Sequence, residues 1–254
     1  FKWSGDLNVP DPTSVTVDEA GSVYVASTTR RKAADLDIRE HSIWVPDDVG
    51  LTSPVEKLAF FQRELAPGKL KAPRGGLKDH NKDGSIDWKD LTFHKEAIYK
   101  LTDTDRDGVA DKLTLFAEGF NSPVSGIAAG VLYHDGWVYV TAIPDVWRLK
   151  DTDGDGVADL KELIATGFGG HIAYAGHDMH GLRLGPDGRI YWSIGDKGLN
   201  VTSKEGKPFT YPHQGAVVRC EPDGKNFEVF AHGVRNIQEI AFDDLGNVIG
   251  VDND

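Results

Sequence analysis

Short apolar runs that alternate with polar residues recur along the chain around turns made of Asp and Gly. Clear copies of this sequence pattern occupy residues 15–25, 182–192 and 240–249, and a less regular copy occupies residues 131–140. Alternation with a period of two is typical of strands with one buried face, and the glycine allows the positive φ of a tight turn. Each copy therefore predicts a β-hairpin.

A second pair of strand-like segments follows the hairpins, so that two hairpins can form one four-stranded antiparallel unit. These pairs are 98–101 with 112–116, 146–149 with 160–164, and 217–220 with 227–230. The spacing between the later copies is about that of one propeller blade. The pattern thus predicts an all-β chain that forms a β-propeller of four-stranded antiparallel blades, with about three and a half blades in this chain.

The segment from about Thr29 to Glu96 interrupts this rhythm. It contains a predicted helix from Pro54 to Leu65 and a stretch rich in Pro and Gly. We therefore predict a single, partial propeller domain over residues 1–254, with a helical and irregular insertion at about 29–96. Because a closed propeller has at least about four blades, we expect a piece of a longer protein, mature or trimmed at Phe1.

Composition narrows the class of partner. The 254 residues carry a formal net charge of -12, which disfavours nucleic acid and anionic membranes because both would repel the chain. The apolar runs are far too short to span a bilayer. Cys220 is the only cysteine, so no intrachain disulfide is possible.

The loop from Asp151 to Glu162 matches the twelve-position calcium-binding loop. Acidic residues occupy the ligand positions, glycine allows the sharp turn, and the last residue can close the site with both carboxylate oxygens. The predicted ligands are Asp151, Asp153, Asp155, the Val157 carbonyl, Asp159 and Glu162. The alternative is an exposed Asp-Gly hairpin turn without an ion.

Two further loops repeat this pattern less completely. One ends in Thr114, so that a water or a backbone oxygen would complete it, and its ligands would be Asp103, Asp105, Asp107, Val109 and Asp111. The other has a short carboxylate at its end, and its ligands would be Asp79, Asn81, Asp83, Ser85 and Asp90. This second loop precedes a possible helix at 88–94, which makes it the best candidate for a helix-loop-helix hand.

Calcium ions at such turns would be structural, because they neutralise carboxylates that otherwise repel one another. Free calcium in the cytosol is too low to fill weak sites of this kind. The acidic loops therefore favour the periplasm or the outside of a bacterial cell.

Histidines cluster directly before the strand-like segment at 182–184. His177 and His180 lie in this loop, and Arg235 with Asn236 leads into the next hairpin. On a propeller such loops face the central channel, where ligands bind. Histidine accepts protons near neutral pH and arginine pairs well with carboxylates, so these residues are candidates for catalysis and anion binding.

Other interpretations of the histidines remain open. His177 and His180 could be ordinary loop histidines with satisfied hydrogen bonds. A zinc site from His171, His177 and His180 is a further possibility, although the spacing fits no specific zinc motif. Otherwise we expect His134 and His171 to be ordinary surface residues.

The stretch from His177 to Gly198, together with Arg235 and Asn236, resembles the soluble pyrroloquinoline quinone-dependent sugar dehydrogenases, the glucose/sorbosone dehydrogenase-like β-propellers. The segment 37–44 looks typical of a subgroup in planctomycete, verrucomicrobial and Bacteroidetes bacteria. The resemblance covers most of the chain. It implies oxidation of an aldose-type sugar or an alcohol, hydride transfer to pyrroloquinoline quinone, and a c-type haem domain or cytochrome as electron acceptor.

The resemblance also implies roles for single residues. In that family a histidine eight residues before a Gly-Pro-Asp turn is the general base, and this position is His177 here. His180 would contact the substrate or support the base. The family's quinone-binding Arg-Asn pair falls on Arg235 and Asn236, and Gln238 keeps the Arg-Asn-x-Gln pattern.

Some positions depart from the family or fall near the end of the chain. Gly176 stands where the glucose enzymes have an acidic residue, and Ile237 replaces a proline. A cofactor calcium would be held at or beyond Asn253 and Asp254. Two alternatives therefore stay open: a non-catalytic, calcium-stabilised propeller that binds a glycan or a protein, and a lactonase-type hydrolase with a channel metal.

Overall fold

The computed structural model of the chain describes residues 2–31 and 33–253, so Phe1, Lys32 and Asp254, with its expected calcium contact, lie outside the description. The described residues form three four-stranded antiparallel sheets. The first contains β1 (Pro12–Val17), β2 (Val23–Ser27), β3 (Glu96–Thr102) and β4 (Lys112–Gly119) in this order. The second contains β5 (Ala128–His134), β6 (Trp137–Ala142), β7 (Asp145–Lys150) and β8 (Leu160–Thr166).

The third sheet is interrupted by an additional hairpin. It begins with β9 (Met179–Leu184) and β10 (Ile190–Ile194), and the hairpin that follows consists of β11 (Leu199–Thr202) and β12 (Pro208–Tyr211). The sheet is completed by β13 (Gly215–Cys220) and β14 (Glu228–Val234), and a two-stranded sheet of β15 (Ile240–Phe242) and β16 (Val248–Gly250) follows. These sheets confirm the predicted all-β architecture of four-stranded antiparallel blades.

The first strands of successive blades lie side by side, because β1 contacts β5, β5 contacts β9, and β9 contacts β15. Hydroxyl groups of β1 accept hydrogen bonds across this seam. Ser14 Oγ accepts the Val131 N–H at 3.3 Å, and Thr16 Oγ1 accepts the Tyr133 N–H at 3.0 Å. The first strands are therefore the inner strands of a propeller.

Aromatic side chains fill the space between neighbouring blades. Tyr24 and Phe116 meet edge to face at 5.0 Å in the core shared by the first and second blades. Between the second and third blades, Phe168, Trp192 and Phe227 form a triangle with ring centroids 5.9 to 6.3 Å apart. Each such side chain contributes roughly 1.5–3 kcal/mol when it leaves water, so the blade interfaces supply much of the stability.

The segment between β2 and β3 forms a layer with its own apolar core. It contains a 3-10 helix (Ile38–Trp44), α1 (Val45–Asp48), α2 (Pro54–Glu64) and a second 3-10 helix (Asp90–Thr92). The predicted helix is thus present as α2, and Ser53 caps it by accepting the Glu56 N–H at 3.3 Å. Its core is formed by Trp44, Phe60, Phe61, Leu65, Leu77 and Leu91, with Val124 and Ile172 from the connections between the blades.

The blades have two ends, which we call the entrance face and the opposite face. The inner strands begin at the entrance face, and the connection after each second strand returns there because the blades are antiparallel. The entrance face therefore carries the inserted segment and the loop 171–178, and the acidic loops between β3 and β4 and between β7 and β8 lie at the opposite face. None of the helices among the described residues is long and apolar enough to cross a membrane.

His41 is a fully buried histidine in the core of the inserted segment. Its ring stacks on Trp44 at 4.6 Å, and neither ring nitrogen has a hydrogen-bond partner among the described residues. Burial, assisted by Arg74, lowers the pKa of His41 to about 4, against about 6.5 in an unfolded chain. Between these values only the unfolded chain binds the proton, so stability decreases as the pH falls from about 6.5 to about 4.

We expect His41→Phe to keep the stack on Trp44 and to remove this pH dependence. Urea denaturation gives the free energy of unfolding of the variant minus that of the native chain. This difference should be about 2 kcal/mol more favourable to the variant at about pH 5 than at about pH 8. His232→Phe, at an exposed position, serves as the control. A stability difference that is equal at the two pH values would contradict the lowered pKa.

Candidate functional site

His177 lies in the loop before β9, at the entrance face, and is 8% exposed. Its Nδ1 is 2.7 Å from Oδ1 of Asp196, which follows β10. Because β9 and β10 are paired neighbours, their ends at the entrance face bring the two side chains together. Sequence reasoning identified the histidine and missed the aspartate, although an Asp directly after a buried strand was an available indication.

The carboxylate of Asp196 determines how the imidazole can act. An Nδ1–H that donates to a carboxylate leaves Nε2 as the acceptor, and the negative charge stabilises the imidazolium that forms when Nε2 takes a proton. The ring of Tyr174 packs edge to face against the imidazole, with centroids 5.2 Å apart. The pair therefore has the arrangement of a general base with an orienting carboxylate.

Carboxylates of the inserted segment hold the backbone of the loop 171–178. Backbone N–H groups of this loop donate to three aspartates at 2.7 to 3.3 Å: Ile172 and Ala173 to Asp48, Ala175 to Asp37, and Gly176 to Asp35. Irregular backbone near a core needs such partners, since an unpaired buried N–H is costly. The insertion therefore sets the conformation of the loop that carries His177.

A buried lysine joins the same loop to the inserted segment. Lys197 Nζ lies 2.6 Å from Asp35 Oδ1 and 3.0 Å from Asp178 Oδ2, and all three side chains are at most 3% exposed. Burial by itself would lower the pKa of Lys197, but the two carboxylates raise it above its usual range, so the amine stays charged. Nearby, Lys57 donates to the His171 carbonyl at 3.3 Å, and burial lowers the pKa of Lys57 to about 7.

Tyr174 brings the predicted catalytic and cofactor-binding residues to one place. Besides His177, its ring contacts the guanidinium carbons of Arg39, at 4.9 Å from the centroid, and of Arg235, at 5.4 Å. Arg235 also donates through Nη1 to the Asn253 carbonyl at 2.7 Å. The two positions that the sequence analysis assigned to one site therefore contact the same side chain.

Asn236 lies beside His177 with an unengaged side-chain amide. It is 1% exposed, and neither its Oδ1 nor its Nδ2 has a hydrogen-bond partner among the described residues. A Cβ on Gly195 would lie 2.8 Å from Asn236 Oδ1 and 2.9 Å from His177 Cβ, so a larger residue does not fit between them. Buried amides are normally hydrogen-bonded, so this one is available to a polar ligand.

The remaining predicted residues are placed differently. His180 Nε2 lies 3.0 Å from the Gly176 carbonyl, so it is engaged by its own loop, and Gln238 is exposed. The prediction that His171 is a surface residue is wrong: it is 6% exposed, and its Nε2 lies 2.8 Å from His213 Nδ1. The inserted segment covers it. The histidines considered for zinc form no group of three metal ligands within residues 2–31 and 33–253.

Two groups of carboxylates at the opposite face are close enough to share a cation. The ligand atoms within each group lie within 4.8 Å of one another, and the groups are Asp103, Asp105 and Asp107, and Asp151, Asp153 and Asp159. The two loops share their internal hydrogen bonds: the first aspartate accepts the glycine N–H at 2.9 Å in both. In each loop an aspartate also accepts the N–H of the valine two residues later, at 2.7 to 2.8 Å; the pairs are Asp107 with Val109 and Asp155 with Val157. The last aspartate of each loop accepts the hydroxyl of a threonine, in the pairs Asp111 with Thr104 and Asp159 with Thr152.

Glu162, expected to close the loop that begins at Asp151, lies elsewhere. It is on β8, and its Oε2 accepts hydrogen bonds from Arg148 Nε at 2.8 Å and Nη2 at 2.6 Å across the β7–β8 pair. In a helix-loop-helix hand, the residue at this position lies on a helix that turns it back to the ion. On a strand, the pleat sets its direction instead.

The loop from Asp79 to Asp90 lacks the flanking helices expected of a hand. α2 ends at Glu64, and the short 3-10 helix Asp90–Thr92 replaces the longer helix that was expected. The buried Asp90 carboxylate accepts the N–H groups of His80, Asn81 and Asp87 at 2.8 to 3.1 Å. Backbone N–H groups of the loop thus already occupy the oxygens of Asp90. Asp79 likewise accepts the N–H groups of Asp83 and Gly84, and Asp83 accepts the N–H of Ser85.

Comparison with known proteins identifies a family and a fold. A family model described as a domain of unknown function, DUF7133, matches residues 4–254, whereas no curated protein matches the sequence. The PQQ-bound form of aldose sugar dehydrogenase from Streptomyces coelicolor is similar in structure, at 15% identity and a TM-score of 0.51, over 96% of this chain and 56% of that chain. A nidogen/laminin complex aligns over 61% of this chain and 66% of that chain at 16% identity, but its TM-score of 0.31 is too low to support an argument.

The similarity to the aldose sugar dehydrogenase concerns the fold, because 15% identity is too low to carry an activity. This chain spans about half the length of that neighbour, and the likeness confirms the propeller-type arrangement of the blades. The bacterial subgroup suggested by residues 37–44 stays a prediction. Since the family model matches nearly the whole sequence, the chain belongs to the DUF7133 family of domains of unknown function.

Proposed function

We propose that this domain is the sugar-binding propeller of a quinone-dependent dehydrogenase that oxidises an aldose-type sugar or an alcohol. The observation that carries the proposal is the hydrogen bond of 2.7 Å between His177 and Asp196, which prepares a general base at the entrance face. Asn236 lies next to this base, and Arg235 contacts Tyr174, whose ring packs against it. A neighbour in structure, the aldose sugar dehydrogenase, binds PQQ, which supports the choice of cofactor.

The residues beside His177 fit a quinone with carbonyl and carboxylate oxygens. Asn236 has a buried amide whose donors and acceptor are unengaged among the described residues. Arg235 is partly exposed, and its guanidinium suits a carboxylate. Gln238, exposed in the same segment, is a third candidate contact. When bound, pyrroloquinoline quinone would accept the hydride from the substrate carbon.

His177 performs the proton transfer in this proposal. Its Nε2 takes the proton of the substrate hydroxyl while Asp196 retains the hydrogen bond to Nδ1–H and compensates the positive charge. Tyr174 holds the ring from one side. The aspartates of the inserted segment keep the loop rigid, so the base is in place before the substrate arrives.

We further propose that the loops at Asp103 and Asp151 bind structural calcium. Three carboxylates in each loop can contact one cation, and without it their charges repel one another. The second loop also joins two blades, since Ala158 donates its N–H to the Phe116 carbonyl at 2.8 Å. An ion there would stabilise this contact, far from the proton transfer at the entrance face.

The proposed calcium sites bear on the compartment and on the electron acceptor. Weak sites fill where free calcium is high, so we place the protein in the periplasm or outside the cell. A c-type haem domain or a cytochrome would accept the electrons there. The loop at Asp79 would be a weaker site, because Asp90, which would close it, is buried and both of its carboxylate oxygens already accept backbone N–H groups.

Dye reduction by the full-length protein, supplied with pyrroloquinoline quinone, calcium and a panel of aldoses and alcohols, tests the proton transfer. We expect His177→Ala to abolish turnover and to leave quinone binding intact. Asp196→Asn should lower kcat by roughly 10²- to 10⁴-fold, because an amide no longer stabilises the required tautomer. His134→Ala, at the far end of β5, is the matched control and should retain activity.

Quinone binding is measured separately from turnover in the same experiment. Asn236→Ala should weaken binding, because it removes the unengaged amide. Activity that survives in His177→Ala would place the base elsewhere. A folded full-length protein that binds no quinone would contradict the dehydrogenase and favour a propeller that binds a glycan or a protein without catalysis.

Thermal unfolding of the metal-stripped protein tests the calcium sites. Calcium at about 100 times its dissociation constant should stabilise the native chain by about 2.7 kcal/mol per site. The double variant Asp153→Asn with Asp159→Asn should lose the contribution of one site. Glu162→Gln should retain it, because Glu162 is paired with Arg148.

The equivalent turn of the third blade provides the control for the calcium experiment. Asp223→Asn changes a carboxylate there that is paired with Lys225, and it should leave the calcium response unchanged. A calcium response that is lost in Glu162→Gln would show that this residue leaves Arg148 to bind the ion. No response in the native chain would remove the structural calcium sites from the proposal.

A further inference from the structure

The inserted segment places a guanidinium group next to the loop that carries His177. Arg31 is exposed, and a Cβ on Gly176 would lie 3.7 Å from its Nη2. No carboxylate of the described residues pairs with this guanidinium within 4.0 Å. Asp35 is close enough for the charge of Arg31 to act on its carboxylate, but Asp35 Oδ1 is already paired with Lys197 Nζ at 2.6 Å.

Arg31 also lines an open cavity of about 460 Å³ at the start of the inner strand β1. The other walls come from Asp11, Pro12, Thr13, Thr28 and Thr29. Because β1 is an inner strand, this cavity opens near the propeller axis at the entrance face. Arg235, which precedes the inner strand β15, contacts the same loop through Tyr174, so both guanidinium groups lie against this loop.

We propose that Arg31 binds the carboxylate of an acidic sugar and thereby selects uronic or aldonic acids as substrates of His177. This inference rests on the proposed dehydrogenase function. An unpaired guanidinium is a strong and geometrically specific carboxylate binder. Asp11 and Thr13 in the same cavity offer oxygens that accept hydrogen bonds from sugar hydroxyls. The cavity therefore combines the two kinds of group that a sugar acid requires.

Calorimetric titration of the full-length protein without quinone tests the binding directly, with glucuronate and glucose as separate probes. We expect glucuronate to bind more tightly than glucose. Arg31→Gln should weaken glucuronate binding by roughly 10- to 100-fold and leave glucose binding and the melting temperature unchanged. Arg63→Gln, an exposed arginine on α2 of the same insertion, is the matched control and should change neither ligand.

Turnover in the quinone-loaded protein supplies a second measurement. Arg31→Gln should raise KM for glucuronate with little change in kcat, because it removes binding rather than proton transfer. Arg31→Lys should recover part of the loss, since it keeps the charge and loses the planar fork. Equal affinity of the native protein for glucose and glucuronate would overturn the proposal.

A titration with pyrroloquinoline quinone separates the two sources of a carboxylate at this site. If Arg31→Gln weakens quinone binding and leaves glucuronate binding unchanged, the residue belongs to the cofactor site and the proposal is overturned. If glucuronate binds through Arg31 and no quinone binds, the acidic-sugar site is supported while the dehydrogenase function is contradicted.

Discussion

A charged amine enclosed between two carboxylates is the interaction on which the entrance face depends. Lys197 meets Asp35 of the inserted segment and Asp178 at the end of the loop 171–178, and water is excluded from all three. The connection between the first and second blades closes the site as well, because a Cβ on Gly126 would lie 1.8 Å from Asp178 Oδ1. Removing one partner of a buried ion pair typically costs about 3–5 kcal/mol, since the other charge is left without compensation. Three distant segments are therefore held as one unit.

The inserted segment is consequently part of the site rather than an addition to the fold. Its aspartates accept the backbone N–H groups of the loop 171–178, and its α2 places Lys57 beside the same buried cluster. The imidazole of His177 is thus fixed by Asp196 and by its own loop, which contributes the ring of Tyr174. Positions held to within about 0.5 Å by such supporting contacts are what proton transfer requires.

The two ends of the blades carry different charged groups. The chain has a net charge of -12, and two groups of three neighbouring carboxylates lie in the loops at the opposite face. The entrance face, by contrast, carries arginines around the loop 171–178. The proposed calcium loops and the proposed catalytic base therefore lie at opposite ends of the blades, so the two proposed activities of this domain do not compete for the same surface.

Local patterns determined much of this protein from its sequence: period-two alternation predicted the blades, the interruption of that pattern predicted the inserted segment with its helix, and the spacing of aspartates predicted the acidic loops. The sequence also indicated His177 as a candidate base, because the residues of its motif, from His177 to the Gly-Pro-Asp turn, are continuous in the chain. Asp196, Lys197 and the burial of His171 were decided by the tertiary structure, since they depend on how β9 pairs with β10 and on where the insertion packs. The direction of Glu162 was decided there too, because a strand pleat rather than a helical turn orients it. Contacts between residues near in sequence follow from local conformation, whereas contacts between distant ones follow from the packing of whole segments, which a single sequence does not display.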